Sequence, residues 1–158
     1  MSRNRIEDFG PYQDSLALFD CVVEDMAVLQ RDPRCYRLIG QQVGSADSIC
    51  ANMDEGYGRS SRKEFIRFLD ISRASARETR GRYKRLKHWL SAEVIGARVA
   101  LADSIIARLT KSINTLRASG ATRHAPCVRE SGVTYGTSDS QDAAIVTDED
   151  IEQLLRTE

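Results

Sequence analysis

The densest run of side chains able to do chemistry lies between Arg59 and Lys87, where 11 basic residues meet 3 acidic ones. Guanidinium and ammonium groups without a nucleophile beside them hold phosphate or carboxylate oxygens; they do not break bonds. On a helical projection Arg73, Arg77, Arg80, Lys84 and Lys87 follow steps of four, three, four and three. They fall in one stripe about 21 Å long. Arg62 extends that stripe upward, and Arg67, Arg82 and Arg85 fall on the far side; Lys63 completes the set of candidate nucleic-acid contacts. Like charges at such steps repel by a few tenths of a kcal/mol per pair. Only Glu78 sits inside the stretch to soften this, so a counter-charge is expected elsewhere. Phosphate would supply it with a steep salt dependence. Protein would supply it through Asp14, Asp20, Glu24 and Asp25 upstream, within one chain or across subunits, or through the acidic C-terminal segment. On charge alone both readings stand, beside that of an idle solvated face.

Other chemistry finds less support. Cys21, Cys35, Cys50 and Cys127 form no CxxC pair, and only His88 and His124 could join them. A zinc site needs ligands clustered at short spacing, so neither a metal nor another cofactor is expected. Three of the thiols fall in helical patterns, where they act as small buried hydrophobes; this usage suits a reducing compartment. A second cluster, Asn52, Glu55, Gly56, Tyr57, Gly58 and Arg59, reads as a turn. Gly56 and Gly58 stop the preceding helix, Glu55 pairs with Arg59 or Arg67, and Asn52 caps a carbonyl. That is architecture. General acid–base work needs convergent titratable groups in a pocket, and no second cluster completes one. An enzyme and a small-molecule substrate are therefore not expected. Trp89 is placed either to stack on a base or to pack at the bundle end, and packing is the simpler use.

These residues need helices to position them. The 158 residues, 41% hydrophobic and 29% charged, suit one globular domain with a tail. Leu16, Phe19, Val22, Val23, Met26 and Leu29 mark a helix from Pro11 to Leu29, which Arg31-Asp32-Pro33 ends. Ile39, Val43, Ala46, Cys50 and Met53 mark a second from Arg34 to Asp54, in which Gly40 and Gly44 weaken helicity or permit close approach. A third opens at a Ser61/Glu64 capping box and carries Phe65, Phe68, Leu69, Ser72, Ala76, Thr79, Tyr83, Leu86 and Leu90 on one face. A fourth starts at Ser91 and runs from Ile95 through Leu116 to Gly120. There is no strand signal. The expected fold is all-α, an antiparallel up-down four-helix bundle over 11–119. An N-terminal arm (1–10) precedes it and a flexible linker with an acidic tail (120–158) follows it. Within that tail, 148–156 has the pattern of a short helix that folds on a partner, and equally of a solvated acidic segment. The zero net charge is a cancellation: residues 1–58 carry −5, 59–87 carry +8, 88–119 carry +2 and 120–158 carry −5. No stretch approaches the roughly 20 apolar residues of a membrane span, and Met1–Gly10 lacks a signal peptide's apolar run. A cytoplasmic protein with no membrane partner is expected.

The stretch from Gly40 to Leu69, GQQVGSADSICANMDEGYGRSSRKEFIRFL, carries Asn52-x-x-Glu55-Gly56-Tyr57-Gly58-Arg59 followed by Lys63, Glu64, Phe65, Arg67, Phe68 and Leu69. It resembles the four-helix bundle family of 23S ribosomal RNA intervening-sequence proteins. That family includes relatives of the accessory variability protein of diversity-generating retroelements. With helix spacing included, the likeness covers residues 9–118. It implies an up-down bundle that assembles into a ring, commonly a homopentamer, with no known enzymatic activity. In the retroelement branch of bacteria and phage it implies a ring that binds a reverse transcriptase and nucleic acid, RNA or DNA. The chain departs from the pattern at Val43 and Gly44, where an Arg-Arg pair is common. It departs again at Cys50, where proline is common, and at Asp54, where alanine is common.

Overall fold

The computed structural model describes residues 5–59 and 61–122. Four helices follow one another: α1 (Gly10–Leu29), α2 (Tyr36–Tyr57), α3 (Arg62–Tyr83) and α4 (Ala92–Thr122). Single 3₁₀ turns at Ile6–Asp8 and Pro33–Cys35 precede α1 and α2. No strand occurs among the described residues.

Side-chain bonds between neighbours establish the antiparallel order. Tyr12 and Ser15 of α1 meet Asp54 and Cys50 of α2. Gln42 and Ser45 in the first half of α2 meet Thr79 near the end of α3, and Gly56 at the end of α2 lies against Phe68 near the start of α3. Asp70 and Arg80 of α3 meet Arg117 and Asp103 of α4. Arg108 and Arg98 of α4 return to Asp14 and Asp25 of α1. Each pair runs in opposite senses, and short connections allow only this up-down arrangement. The apolar stripes close on one core of Leu18, Val22, Met26 and Leu29 with Ile49, Met53, Phe65, Leu69, Tyr83, Ile105, Leu109, Ile113 and Leu116. Each such side chain contributes roughly 1.5–3 kcal/mol by leaving water.

Several boundaries differ from the sequence reading. Phe9, assigned to the arm, is buried in the core, so the bundle begins before Pro11. Helix α2 runs on through Gly56 to Tyr57, because this glycine is a contact and not a stop. A Cβ there would lie 2.6 Å from Phe68 Cβ and 3.1 Å from Phe65 Cδ2. Gly58 caps the helix in the right-handed region (φ −73°). Gly40 and Gly44 have nothing within 4 Å of such a Cβ; they permit no close approach. Ser61 is the N-cap residue of α3 but its side chain makes no cap bond, so the capping box is not formed; only its carbonyl accepts, from the Phe65 N–H (2.9 Å).

The third helix ends seven residues earlier than its apolar period suggests. After Tyr83 the N–H groups of Arg85 and Leu86 donate to the carbonyls of Arg82 and Tyr83, at 2.8 and 3.0 Å. Such i→i+3 bonds tighten and close a helix end. The tightened turn drops Leu86 fully into the core and brings the Trp89 Nε1–H to Asp32 Oδ2 (3.2 Å). Ser91 then caps α4, its Oγ accepting from the Val94 N–H (3.3 Å). The expectations for 123–158, a linker, an acidic tail and a short helix at 148–156, lie outside the described residues, as do Cys127 and His124.

Candidate nucleic-acid interface

The bundle sorts the basic residues of α3 into two groups. On the projection with Phe65 at zero, Arg62, Arg73 and Arg80 fall at about +60° to +80°. That flank is the seam with α4. Arg73 donates to Asp70 beside it on α3 and, at 3.1 Å, to Thr110 Oγ1 of α4. Arg80 pairs with Asp103 of α4. Arg62 is buried. Arg82, on the other flank, is buried and pairs with Glu78 one turn earlier. Arg73, Arg80 and Arg82 each hold an acid of their own chain and Arg62 is buried, so the predicted single stripe is corrected accordingly.

The second group faces water. Lys63, Arg67 and Arg77 are exposed on the outer face of α3, within an arc of about 80° centred opposite the core. Lys84, Arg85 and Lys87 are exposed in the turn after it. They are not helical, so their place on the predicted stripe is also corrected. None of these six has an ion pair or hydrogen bond to a described residue. Arg67 and Arg85, assigned to the far side of the stripe, thus belong with Arg77 in practice.

Folding adds two cations that the sequence reading passed over. The Trp89–Asp32 bond fastens the turn after α3 to the one after α1. Arg31 and Arg37, both exposed, therefore sit at the same bundle end as Lys84, Arg85 and Lys87. Arg34 at that end is already committed, holding both Asp32 oxygens; Arg34 keeps the Asp32 carboxyl well below the usual carboxylate range. The signal for this cluster was an Arg-rich turn, but its proximity depends on which loops abut.

Within the chain, Asp14 and Asp25 of α1 do not pair with the cations of α3. Asp14 pairs with Arg108 and Asp25 with Arg98, both on α4. Asp25 also accepts from the Tyr83 hydroxyl (2.8 Å) in the bundle interior. Burial, then this bond, pushes the Tyr83 phenol far above its ordinary value.

The Asn52–Arg59 cluster is architectural in its geometry. Arg59 pairs with Glu55 and stands over the Phe68 ring, 5.5 Å from its centroid, a cation–π contact. Asn52 Nδ2 donates to the Ser48 carbonyl (2.7 Å) within α2. Tyr57 packs on the core, Phe65 and Leu69 are inside it, and Glu64 is exposed. Cys35 and Cys50 are buried and Cys21 is half-buried, all as free thiols. Burial raises the thiol pKa of both Cys35 and Cys50, away from nucleophilic character. No cluster of metal-binding side chains occurs among the described residues. No helix among them is long and apolar enough to cross a membrane.

Known proteins place this architecture. The family model described as 23S rRNA-intervening sequence protein matches residues 7–111. The chain belongs to that family. The matched span ends inside α4 and takes in every residue of the turn and of the exposed basic group. A solved relative in the fold is a protein of unknown function from the S23 ribosomal protein family of Bacteroides thetaiotaomicron VPI-5482. It is 24% identical, with a TM-score of 0.62, over 65% of this chain and 97% of its own; at that identity the likeness is one of fold. None of the curated proteins matches.

Proposed function

We propose that this chain is a non-enzymatic accessory protein that holds nucleic acid by its phosphates and assembles as a homo-oligomeric ring. In the retroelement branch that the Gly40–Leu69 stretch resembles, a reverse transcriptase would be its second partner. The observation that carries the nucleic-acid reading is the division of α3's cations. The fold neutralises Arg73, Arg80 and Arg82 with its own acids and leaves Lys63, Arg67, Arg77, Lys84, Arg85 and Lys87 exposed without one among the described residues. Like charges kept together repel one another, so a counter-charge is expected, and phosphate is the one assigned in this reading. Phosphate contacts of this kind position a strand without reading its bases, so binding would be indifferent to sequence.

The test is a titration of labelled RNA and DNA by fluorescence anisotropy across salt concentrations. Six phosphate contacts give a log–log slope of about −5 on duplex DNA and about −4 on single strands. The variant Arg67→Gln/Arg77→Gln/Lys84→Gln/Arg85→Gln should flatten that slope by about 3. An absence of binding at low salt, or a slope that the variant leaves unchanged, overturns the proposal and moves these cations to a protein interface.

A further inference from the structure

A groove of about 440 Å³ opens beside the turn after α3, lined by Lys84, Lys87, Leu90, Ile95, Gly96 and Val99. Two lysines thus share the lining with Leu, Ile and Val. Bare phosphate would use the lysines and leave the wall wet. The occupant that satisfies both is a short segment with carboxylates beside branched apolar side chains. The chain contains one: Asp148-Glu149-Asp150-Ile151-Glu152-Gln153-Leu154-Leu155. Its apolar residues at i, i+3 and i+4 share a face whenever it is helical, and its four acids complement the lysines.

We propose that Asp148–Leu155 docks in this groove, seating Ile151 and Leu154 against Leu90, Ile95 and Val99 and pairing its acids with Lys84 and Lys87. Reach permits it. Helix α4 starts at the groove and its 31 residues carry the chain about 45 Å away. The 25 residues from 123 to 147 can span up to about 80 Å when extended. The groove of the same chain, or of a neighbouring copy, is within that distance. Docking would cover Lys84 and Lys87, so that the segment competes with any polyanion at this end of the bundle.

Geometry also supplies the control. Lys63 lies at the start of α3, the bundle end from which the chain leaves α4, whereas Lys84 and Lys87 lie at the opposite end. A merely tethered acidic tail would meet Lys63 more often, since effective concentration falls with distance from the root. The experiment is carbodiimide cross-linking of the full chain without nucleic acid, with the joined peptides identified by mass spectrometry. The expected result is amide bonds from Lys84 or Lys87 to Asp148, Glu149, Asp150 or Glu152, at least several-fold more abundant than those from Lys63. In the Ile151→Asp/Leu154→Asp variant they should fall to the Lys63 level, although the tail then carries more negative charge. Cross-links centred on Lys63, spread evenly, or strengthened in that variant overturn the proposal, because each is the signature of charge attraction without a seat. The readout contains no nucleic acid, so its outcome is separate from that of the anisotropy titration.

Discussion

Replacing Gly56 by alanine adds one methyl group and should destabilise the bundle, against the usual preference of helices for alanine. The new Cβ would stand 2.6 Å from Phe68 Cβ. Carbon atoms in good contact sit about 3.5–4.0 Å apart, so the two backbones must part by about 1 Å. No rotamer change relieves this, because both atoms are fixed to the main chain. Phe65 Cδ2 at 3.1 Å closes the other direction. Overpacking of this kind costs about 1–3 kcal/mol, and the propensity gain from alanine returns up to about 1 kcal/mol. With the full propensity gain returned, the net expectation is a loss of up to about 2 kcal/mol. Gly44 provides the control in the same helix, since nothing lies within 4 Å of its added Cβ. Gly44→Ala should therefore stabilise by up to about 1 kcal/mol. Urea unfolding followed by helical circular dichroism measures both, with unchanged m-values showing that the native state stays compact. If Gly56→Ala proves as stabilising as Gly44→Ala, the close α2–α3 approach is wrong, and with it the reading of the Asn52–Arg59 cluster as a packing device.

Asp25→Asn should cost about 1–3 kcal/mol in the same assay, less than the roughly 3–5 kcal/mol of a broken fully buried pair because Arg98 keeps partial access to water. Arg73→Gln/Arg80→Gln should lower stability by at most about 2 kcal/mol in total and leave the nucleic-acid salt slope where it was; a flattened slope would return these two arginines to the interface. Alkaline stability should depend on Tyr12, whose phenol is pushed from 10.0 to about 12 by burial and then by its bond to Asp54. The folded state favours the neutral phenol, so this contribution is whole below pH 10 and is lost as pH rises through 12. Unfolding free energies measured across that interval should fall less steeply in Tyr12→Phe than in the unaltered chain, and identical slopes would dismiss the coupling.

Helix type and order were legible because the apolar residues keep a helical period: Val22, Met26 and Leu29 entered the core as expected, whereas Leu16 and Val23, assigned to the same stripe, are exposed and Leu18, left out of it, is fully buried. The end of α3 was not legible, because Leu86 and Leu90 stay on the period after the helix has stopped. A tightened turn and a continuing helix bury the same residue types. Gly56 was misread for a related reason: a glycine near a helix end signals either a stop or a close neighbour, and only the position of Phe68 decides. At the candidate site, the richness in cations was visible in the sequence but their sorting was not. Periodicity places Arg73, Arg77 and Arg80 on one flank; that α4 occupies part of that flank, with Asp103 and Thr110 waiting on it, is a fact of packing. The approach of Arg31 and Arg37 to Lys84 likewise follows from two loops meeting through Trp89 and Asp32.

The seam between α3 and α4 sets which cations are exchangeable. Arg73 uses two separate nitrogens to reach Asp70 and Thr110 at once, a fork that the single ammonium of lysine does not reproduce. On the outer face, Lys63, Arg67 and Arg77 offer only charge to whatever approaches, and lysine or arginine serves equally there. Among relatives of this chain, drift between the two residue types should therefore be free at 63, 67 and 77 and arrested at 73. The pattern of permitted substitutions would then trace the boundary between what the fold consumes and what it presents.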